Sequence, residues 1–381
     1  MTVTVVCDVL GEENNGTTIA AMNLIRALKK RGHNVRVVCG DEQRRGQDGF
    51  FCLPRINFGI FNGYVKKNGV APAKVDKDII RSAVTGADAV HIMTPFFVGR
   101  AALREAKSQG IPVTAGFHCQ AENLSSHLFL MNCRGFNKAV YKYFYRKFYR
   151  YVDCIHYPTQ FIRDVFEKEC GHKTCGRVIS NGVNSRFVRE DTKKGGHTNG
   201  EYVLLSTGRY SREKSQKVLI KAVSLSKHAD EIRLVLAGDG PLKNDLIKQS
   251  SRLLKVQPEF KFFCRDEMVD VINSADLYVH PAEIEIESIA CLEAITCRLV
   301  PVIADSKRSA ARYFAIHDDN LFKSGDARDL ADKIDYWLDN PEKRAARSEE
   351  YRGFTEKFSQ ENCMDEMEKM IIETAEKYEA S

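Results

Sequence analysis

A chain of 381 residues, 43% hydrophobic and 28% charged, is globular rather than disordered or fibrous, and at about 150 residues per domain its length predicts two or three cores. Its formal charge of +6 hides a split: residues 1–183 carry 26 Lys+Arg against 15 Asp+Glu, the rest 31 against 36. The first half is therefore expected to meet something anionic, such as nucleic acid, a membrane surface or phosphate.

No apolar run approaches the roughly 18 residues of a spanning helix. The start, Met1-Thr-Val-Thr-Val-Val-Cys7, lacks a basic n-region and reads as a strand, not a signal peptide. The 12 cysteines are scattered, with Cys7, Cys39, Cys154 and Cys291 in apolar runs, as buried thiols of a reducing compartment would be. The expected location is cytoplasmic. Cys170 and Cys175 are spaced as a pair, but with no second pair nearby no zinc site is predicted.

In chain order, residues 2–9 read as a strand, 10–16 as a polar loop, 17–31 as a helix with Ile19, Met22, Ile25 and Leu28 on one face, and 34–39 as a second strand. A helix of that length between strands implies a right-handed parallel crossover. The pattern recurs in the strands 88–93 and 112–117 around the helix 100–109, and in the strand 153–157 before the helix 159–168. Residues 189–200 are polar and glycine-rich, a linker or surface loop. A second alternating series follows, with strands at 202–207, 233–237, 260–264, 277–280 and 300–304 and a helix at 217–227, and the chain beyond 327 is nearly all helical. The fold class is α/β, two doubly wound Rossmann-like domains in tandem, with a ligand expected in the cleft at the carboxyl ends of both sheets.

Four constellations stand where strands end. Gly11-Glu-Glu-Asn-Asn-Gly16 joins the first strand to the first helix, where backbone N–H groups can meet an anion or a sugar; an ordinary βα turn reads equally well. Gly208-Arg-Tyr-Ser-Arg-Glu-Lys214 holds the matching place in the second half. Arg209 and Lys214 there suit a diphosphate, as fork and point charge, or are simply solvated. Ala237-Gly-Asp-Gly-Pro241 is a sharp turn whose Gly238 either lets a ligand approach or only makes the turn. Glu285 and Glu293, eight apart around an apolar helical stretch, carry carboxylates whose desolvation is costly unless they bind something, and sugar hydroxyls are natural partners. A solvated acidic loop describes Glu283 and Glu287 better than Glu293.

Together, and in this order, these motifs resemble the family 4 retaining glycosyltransferases of the GT-B fold, with Ser180-Asn-Gly-Val183 similar to the family's inter-domain crossover. The resemblance implies an acceptor-binding, membrane-facing domain 1–183, a nucleotide-sugar domain 184–360 and a C-terminal helix 361–381 crossing back to the first. It implies transfer of glucose or galactose from a UDP-sugar with retention at the anomeric carbon. Arg209 and Lys214 would hold the diphosphate and offset leaving-group charge, so that neither metal nor cofactor is expected. Glu293 would take the ribose hydroxyls and Glu285 those of the sugar, beside Gly238. His118, in Gly116-Phe-His-Cys-Gln-Ala-Glu-Asn123, stands where the family has its active-site histidine, or is a satisfied core histidine, and Gly16 would contact phosphate or sugar.

The sequence departs from the family at Glu287-Ser288, where Phe-Gly is usual, and in the lone Gly16 of a loop that usually has two glycines. Asp76-Lys-Asp78 opens a helix and reads as a cap, not a metal clamp.

Between Arg134 and Tyr151 lie six basic residues and no acid: Arg134, Lys138, Lys142, Arg146, Lys147 and Arg150. Tyr141, Phe144, Tyr145, Phe148 and Tyr149 interleave with them, as rings at a headgroup interface would. Residues 124–131 would add apolar insertion, and a core helix with a solvated basic face is the alternative. No nucleic-acid motif accompanies the stretch. The expected place is the inner face of the cell membrane and the expected acceptor a lipid, as for the family's diacylglycerol glucosyltransferases; ceramide or a polyprenyl carrier also fits. A soluble enzyme of capsule or cell-wall synthesis and a non-catalytic sugar-nucleotide binder remain as alternatives.

Overall fold

The computed structural model describes residues 1–8, 10, 16–56, 59, 73–126, 128, 130–188 and 201–380. The glycine-containing loop at 11–15 and the linker at 189–200 lie outside the described residues. Two compact units emerge, one of Met1–Asn181 with Glu361–Ser381, the other of Gly182–Gln360.

The first unit is built on seven parallel strands, β1 (Thr2–Cys7), β2 (Asn34–Cys39), β3 (Phe50–Cys52), β4 (Ala89–Ile92), β5 (Val113–Gly116), β6 (Cys154–Tyr157) and β7 (Gly176–Val178), in the order 3-2-1-4-5-6-7. The second has β8 (Tyr202–Thr207), β9 (Ile232–Ala237), β10 (Glu259–Lys261), β11 (Leu277–His280), β12 (Pro301–Asp305) and β13 (Leu321–Lys323), in the order 10-9-8-11-12-13. Both are Rossmann-like sheets whose order reverses beside the first strand, at β1/β4 and at β8/β11, which opens a crevice at the carboxyl ends there. Helices cover both faces, so central strands such as β4 (AVHI) and β11 (LYVH) are buried throughout. The strands β3, β7 and β13, three residues each at or near sheet edges, were not among the expected elements.

One face of the first sheet is closed by the helices Gly16–Lys30 and Gln360–Glu379. In the latter, Cys363, Met364, Met367, Met370 and Ile371 recur at helical spacing and pack with Leu24, Ile25, Leu28, Val35 and Val37. Charges fix its register: Glu368 meets Arg31 at 3.0 Å and His33 at 2.6 Å, and Glu373 pairs with Arg177.

The other face corrects the reading of the aromatic residues. The helix Arg134–Lys147 and the turn Tyr149–Tyr151 bury Tyr141, Phe144, Phe148 and Tyr149. Phe117 at the end of β5 meets Phe166 at 4.6 Å and Tyr149 at 5.1 Å between ring centroids. The Tyr149 hydroxyl donates to the Gly116 carbonyl at 3.0 Å, and Tyr145 stacks on His172. These rings are core, because a helix lying on a sheet must turn one stripe inward and here that stripe is aromatic. Arg134, Lys138, Lys142, Arg146, Lys147 and Arg150 are exposed, joined by Tyr143 and Tyr151. Asp76 caps the helix Lys77–Val84, accepting from the Asp78 and Ile79 amides at 3.1 Å each. None of the 12 cysteines is in a disulfide.

Met370 is fully buried under the first sheet. Met370→Ala is expected to lower the stability of the first unit by about 2–5 kcal/mol, read as a shifted midpoint in urea unfolding; a loss below 0.5 kcal/mol would mean that the C-terminal helix does not complete this core.

Candidate active site

In the second unit the central strands β8 and β11 are neighbours, paired through Leu277 with Leu204 and Tyr278 with Leu205, so the loops that follow them are brought together. β8 ends at Thr207, and Gly208 turns the chain at φ +145°. The Gly208 amide donates to the Ala237 carbonyl at 3.0 Å, and the Gly238 amide to the Lys261 carbonyl at 2.9 Å. A Cβ on Gly238 would lie 2.0 Å from the Gly208 carbonyl oxygen. Glycine at 238 is thus demanded by the contact between two strand-end turns.

Past that turn, Arg209 directs Nη2 to Glu213 at 2.9 Å. Burial pushes the Glu213 carboxyl up, but Arg209 and the Ser211 hydroxyl bring it below its ordinary value. The short helix Arg212–Lys214 then hands over to the helix Gln216–Leu225 through Ser215 at φ +54°. This sharp junction sends Lys214 across to the loop after β11, where its Nζ pairs with Glu285 Oε1. His280 Nε2, at the end of β11, stands 3.3 Å from the same oxygen and 3.1 Å from the Ser288 hydroxyl. Burial raises the Glu285 carboxyl, but Lys214 and His280 outweigh it and hold it at about 2.

Glu293 sits on the helix Ile289–Thr296. Its nearest charge is Arg265, 3.6 Å away, and burial wins over that pairing, raising the carboxyl to about 7. Ser288, preceding this helix, adopts φ +69°, a left-handed conformation that favours glycine, although the side chain is serine. Neither Glu283 nor Glu287 is a freely solvated loop carboxylate: Glu283 is partly exposed but paired, and Glu287 is covered. Glu283 pairs with Arg308 at 2.7 Å, and Glu287 is buried, because the loop is folded under the segment that follows β12.

Arg209, Lys214, Glu285, Glu293 and Gly238 thus gather at the carboxyl end of the second sheet. Gly16 and His118 belong to the first unit. Gly16 opens the helix Gly16–Lys30, and no described atom lies within 4 Å of a Cβ built there. His118 follows β5 with its ring 5.4 Å from that of His156 and its buried Nε2 without a hydrogen-bond partner among the described residues. Burial, with His156 and His91 adding to it, holds the imidazole well below its ordinary range, so it is neutral. Sequence reasoning missed Arg265, His280, Arg308 and Asp8. Asp8 directly follows β1 at the first sheet's reversal point, accepts the Thr94 hydroxyl at 2.5 Å and is raised by burial to about 6. A carboxylate directly after an apolar strand was the available signal for Asp8. Among the described residues no three His, Cys, Asp or Glu side chains are placed to hold a metal ion, and no helix is long and apolar enough to cross a membrane.

Residues 14–187 match the sequence profile of glycosyltransferase family 4, and residues 187–353 that of glycosyl transferases group 1. The chain is 27% identical over 333 residues to an alpha-monoglucosyldiacylglycerol synthase of Streptococcus pneumoniae, covering 80% of this chain and 73% of that protein. It is 23% identical over 304 residues to the enzyme of the same name from Acholeplasma laidlawii, covering 76% of each. In structure it is similar to Anabaena HepE in complex with UDP and glucose, with a TM-score of 0.76 over 98% of this chain and all of that one at 16% identity, which bears on the fold alone. Two profiles of one enzyme class thus account for residues 14–353 between them, and the chain belongs to the family 4 glycosyltransferases of the GT-B fold.

Proposed function

We propose that the protein moves glucose or galactose from a UDP-sugar to a membrane lipid of diacylglycerol or ceramide type, with retention at the anomeric carbon. The observation that carries this reading is the ionised Lys214–Glu285 pair beside Arg209 at the end of β8. When the bond from the anomeric carbon to the diphosphate breaks, negative charge grows on the departing phosphate. Two fixed cations at the carboxyl end of a central strand answer that charge electrostatically. Arg209 and Lys214 take the diphosphate, Glu293 the ribose hydroxyls and Glu285 the sugar. In the first unit, Gly16 offers open backbone and His118 a neutral ring nitrogen to a hydroxyl. Charge on the leaving group is met by side chains, so chelation with EDTA should leave turnover unchanged.

A lipid acceptor is supported by the relatives, which are glycolipid synthases by name, and by the exposed basic face of the helix Arg134–Lys147. Arg134, Lys138, Lys142, Arg146, Lys147 and Arg150 meet an anionic surface, each contributing about 1 kcal/mol, which seats the enzyme peripherally on the inner face of the cell membrane.

The test supplies UDP-glucose or UDP-galactose with vesicles containing diacylglycerol, ceramide or a polyprenyl phosphate. An α-linked glycolipid is expected, lost with Lys214→Ala or Glu293→Ala; a β-linked product would overturn retention. Reversing Lys138, Lys142 and Arg146 to Glu should weaken co-sedimentation with anionic vesicles by at least about 100-fold, and unchanged sedimentation would remove the membrane surface from this reading.

Glu293 also sets a pH dependence. Its carboxyl titrates at about 7, and only the anion accepts two ribose hydroxyls, so affinity for the UDP-sugar, whose diester diphosphate does not titrate in this range, should fall as pH drops through 7. In calorimetry between pH 8 and pH 6, Glu293→Gln should bind weakly and without that slope. An equal slope in the variant would assign the titration elsewhere.

A further inference from the structure

Glu285 presents its two oxygens unequally. Oε1 receives both Lys214 Nζ and His280 Nε2, while Oε2 has no protein partner among the described residues. Behind His280 lies a buried chain of hydroxyls. Tyr278, two residues earlier on β11, places its hydroxyl 3.4 Å from His280 Nδ1 and 2.7 Å from the Thr207 hydroxyl at the end of β8. Tyr278 and His280 are buried and their rings lie stacked. The partners decide the tautomer: a carboxylate faces Nε2, so Nε2 carries the proton, and Nδ1 accepts from Tyr278. Donation then runs one way, from Thr207 through Tyr278 to His280, whose single Nε2–H is shared between two acceptors, Glu285 Oε1 and the Ser288 hydroxyl.

The same Nε2 is 3.1 Å from the hydroxyl of Ser288, the residue that stands at φ +69°. A serine in that conformation is less favourable than glycine by roughly 1 kcal/mol, and a hydrogen bond to a buried ring offsets a cost of that size. The serine hydroxyl is drawn back onto His280, away from the open side of the loop.

We propose that His280 is a positioning residue for the sugar of the donor: its Nε2 fixes Glu285 with Oε2 turned outward and holds Ser288 in the left-handed turn that leaves room beside it. This rests on the reading that Glu285 takes the sugar's hydroxyls. A residue acting in this way affects the sugar and not the nucleotide, which separates it from a merely structural one.

The experiment measures UDP and UDP-glucose affinity by calorimetry on the full chain, with UDP-galactose in place of UDP-glucose if only that binds. Gln reproduces the Nε2 donor of histidine, whereas Asn reaches only as far as Nδ1. His280→Asn is expected to weaken UDP-sugar binding at least about tenfold, the size of a hydrogen bond to a charged group, with UDP affinity unchanged, and His280→Gln to recover most of that loss. Equal losses for UDP and UDP-sugar, or Gln no better than Asn, would overturn the assignment. Ser288 gives a milder second probe should the His280 variants unfold. Ser288→Ala keeps the strained backbone and loses the hydrogen bond, so it should bind UDP-sugar less well than Ser288→Gly; the reverse order, or no difference, overturns the proposal. A wild-type chain that binds UDP but no UDP-sugar overturns the functional reading and this inference together, whereas wild-type binding with His280→Asn unaffected overturns the inference alone.

Discussion

The ion pair between Lys214 and Glu285 is the constraint on which the second unit's site depends. It ties the loop after β8 to the loop after β11, and those loops meet only because the two strands are neighbours at the point where the sheet order reverses. A partly buried pair of this kind is a poor source of net stability, yet removing one partner leaves the other charge partly desolvated and without compensation. The pair therefore persists as a unit. A cation is held at the strand end before any ligand arrives, together with a carboxylate that stays ionised far into acid.

Glu285 and Glu293 show how partners, not residue type, decide charge. They are eight residues apart and both mostly buried, and burial raises both. Lys214 and His280 converge on one oxygen of Glu285 and hold it at about 2, whereas Glu293 has Arg265 at a longer 3.6 Å and is left at about 7. One carboxylate is fixed as an anion and the other is poised. A poised carboxylate gains most from hydroxyl donors, since accepting their hydrogen bonds favours the anion that burial disfavours.

Much of this was legible in the sequence, for reasons that can be named. Parallel strands buried on both faces write themselves as apolar runs, so β1, β2, β8 and β11 were visible, and the glycine and charged residues after them marked the strand ends. β3, β7 and β13 were not visible because three residues at a sheet margin carry no period; β10, equally short and marginal, was found only because it opens the mostly apolar run 260–264. His280 was hidden for a different reason. Its partners Tyr278, Glu285 and Ser288 are close in sequence but Thr207 and Lys214 are about 70 residues away, and only the pairing of β8 with β11 brings them to one ring. Glu283 looked solvated because the loop alone does not reveal Arg308.

The stretch from Arg134 to Tyr151 illustrates the limit most clearly. Basic and aromatic residues interleave there, and composition alone suggests that both kinds face one interface. Helical geometry separates them: positions 141, 144 and 148 turn to the sheet, while 138, 142 and 146 turn outward. Phe117, Tyr149, Tyr157 and Phe166 complete the inward cluster from other elements, which no local pattern announces. The division makes the outer face more rigid than a free amphipathic peptide would be. Its charges stand on a helix anchored through large rings to the strand that leads to His118, so a surface that drew the basic face would act on a fixed platform and not on a loose tail. Electrostatic attraction then costs little ordering entropy, because the side of the helix that does not touch the surface has already been ordered by the core.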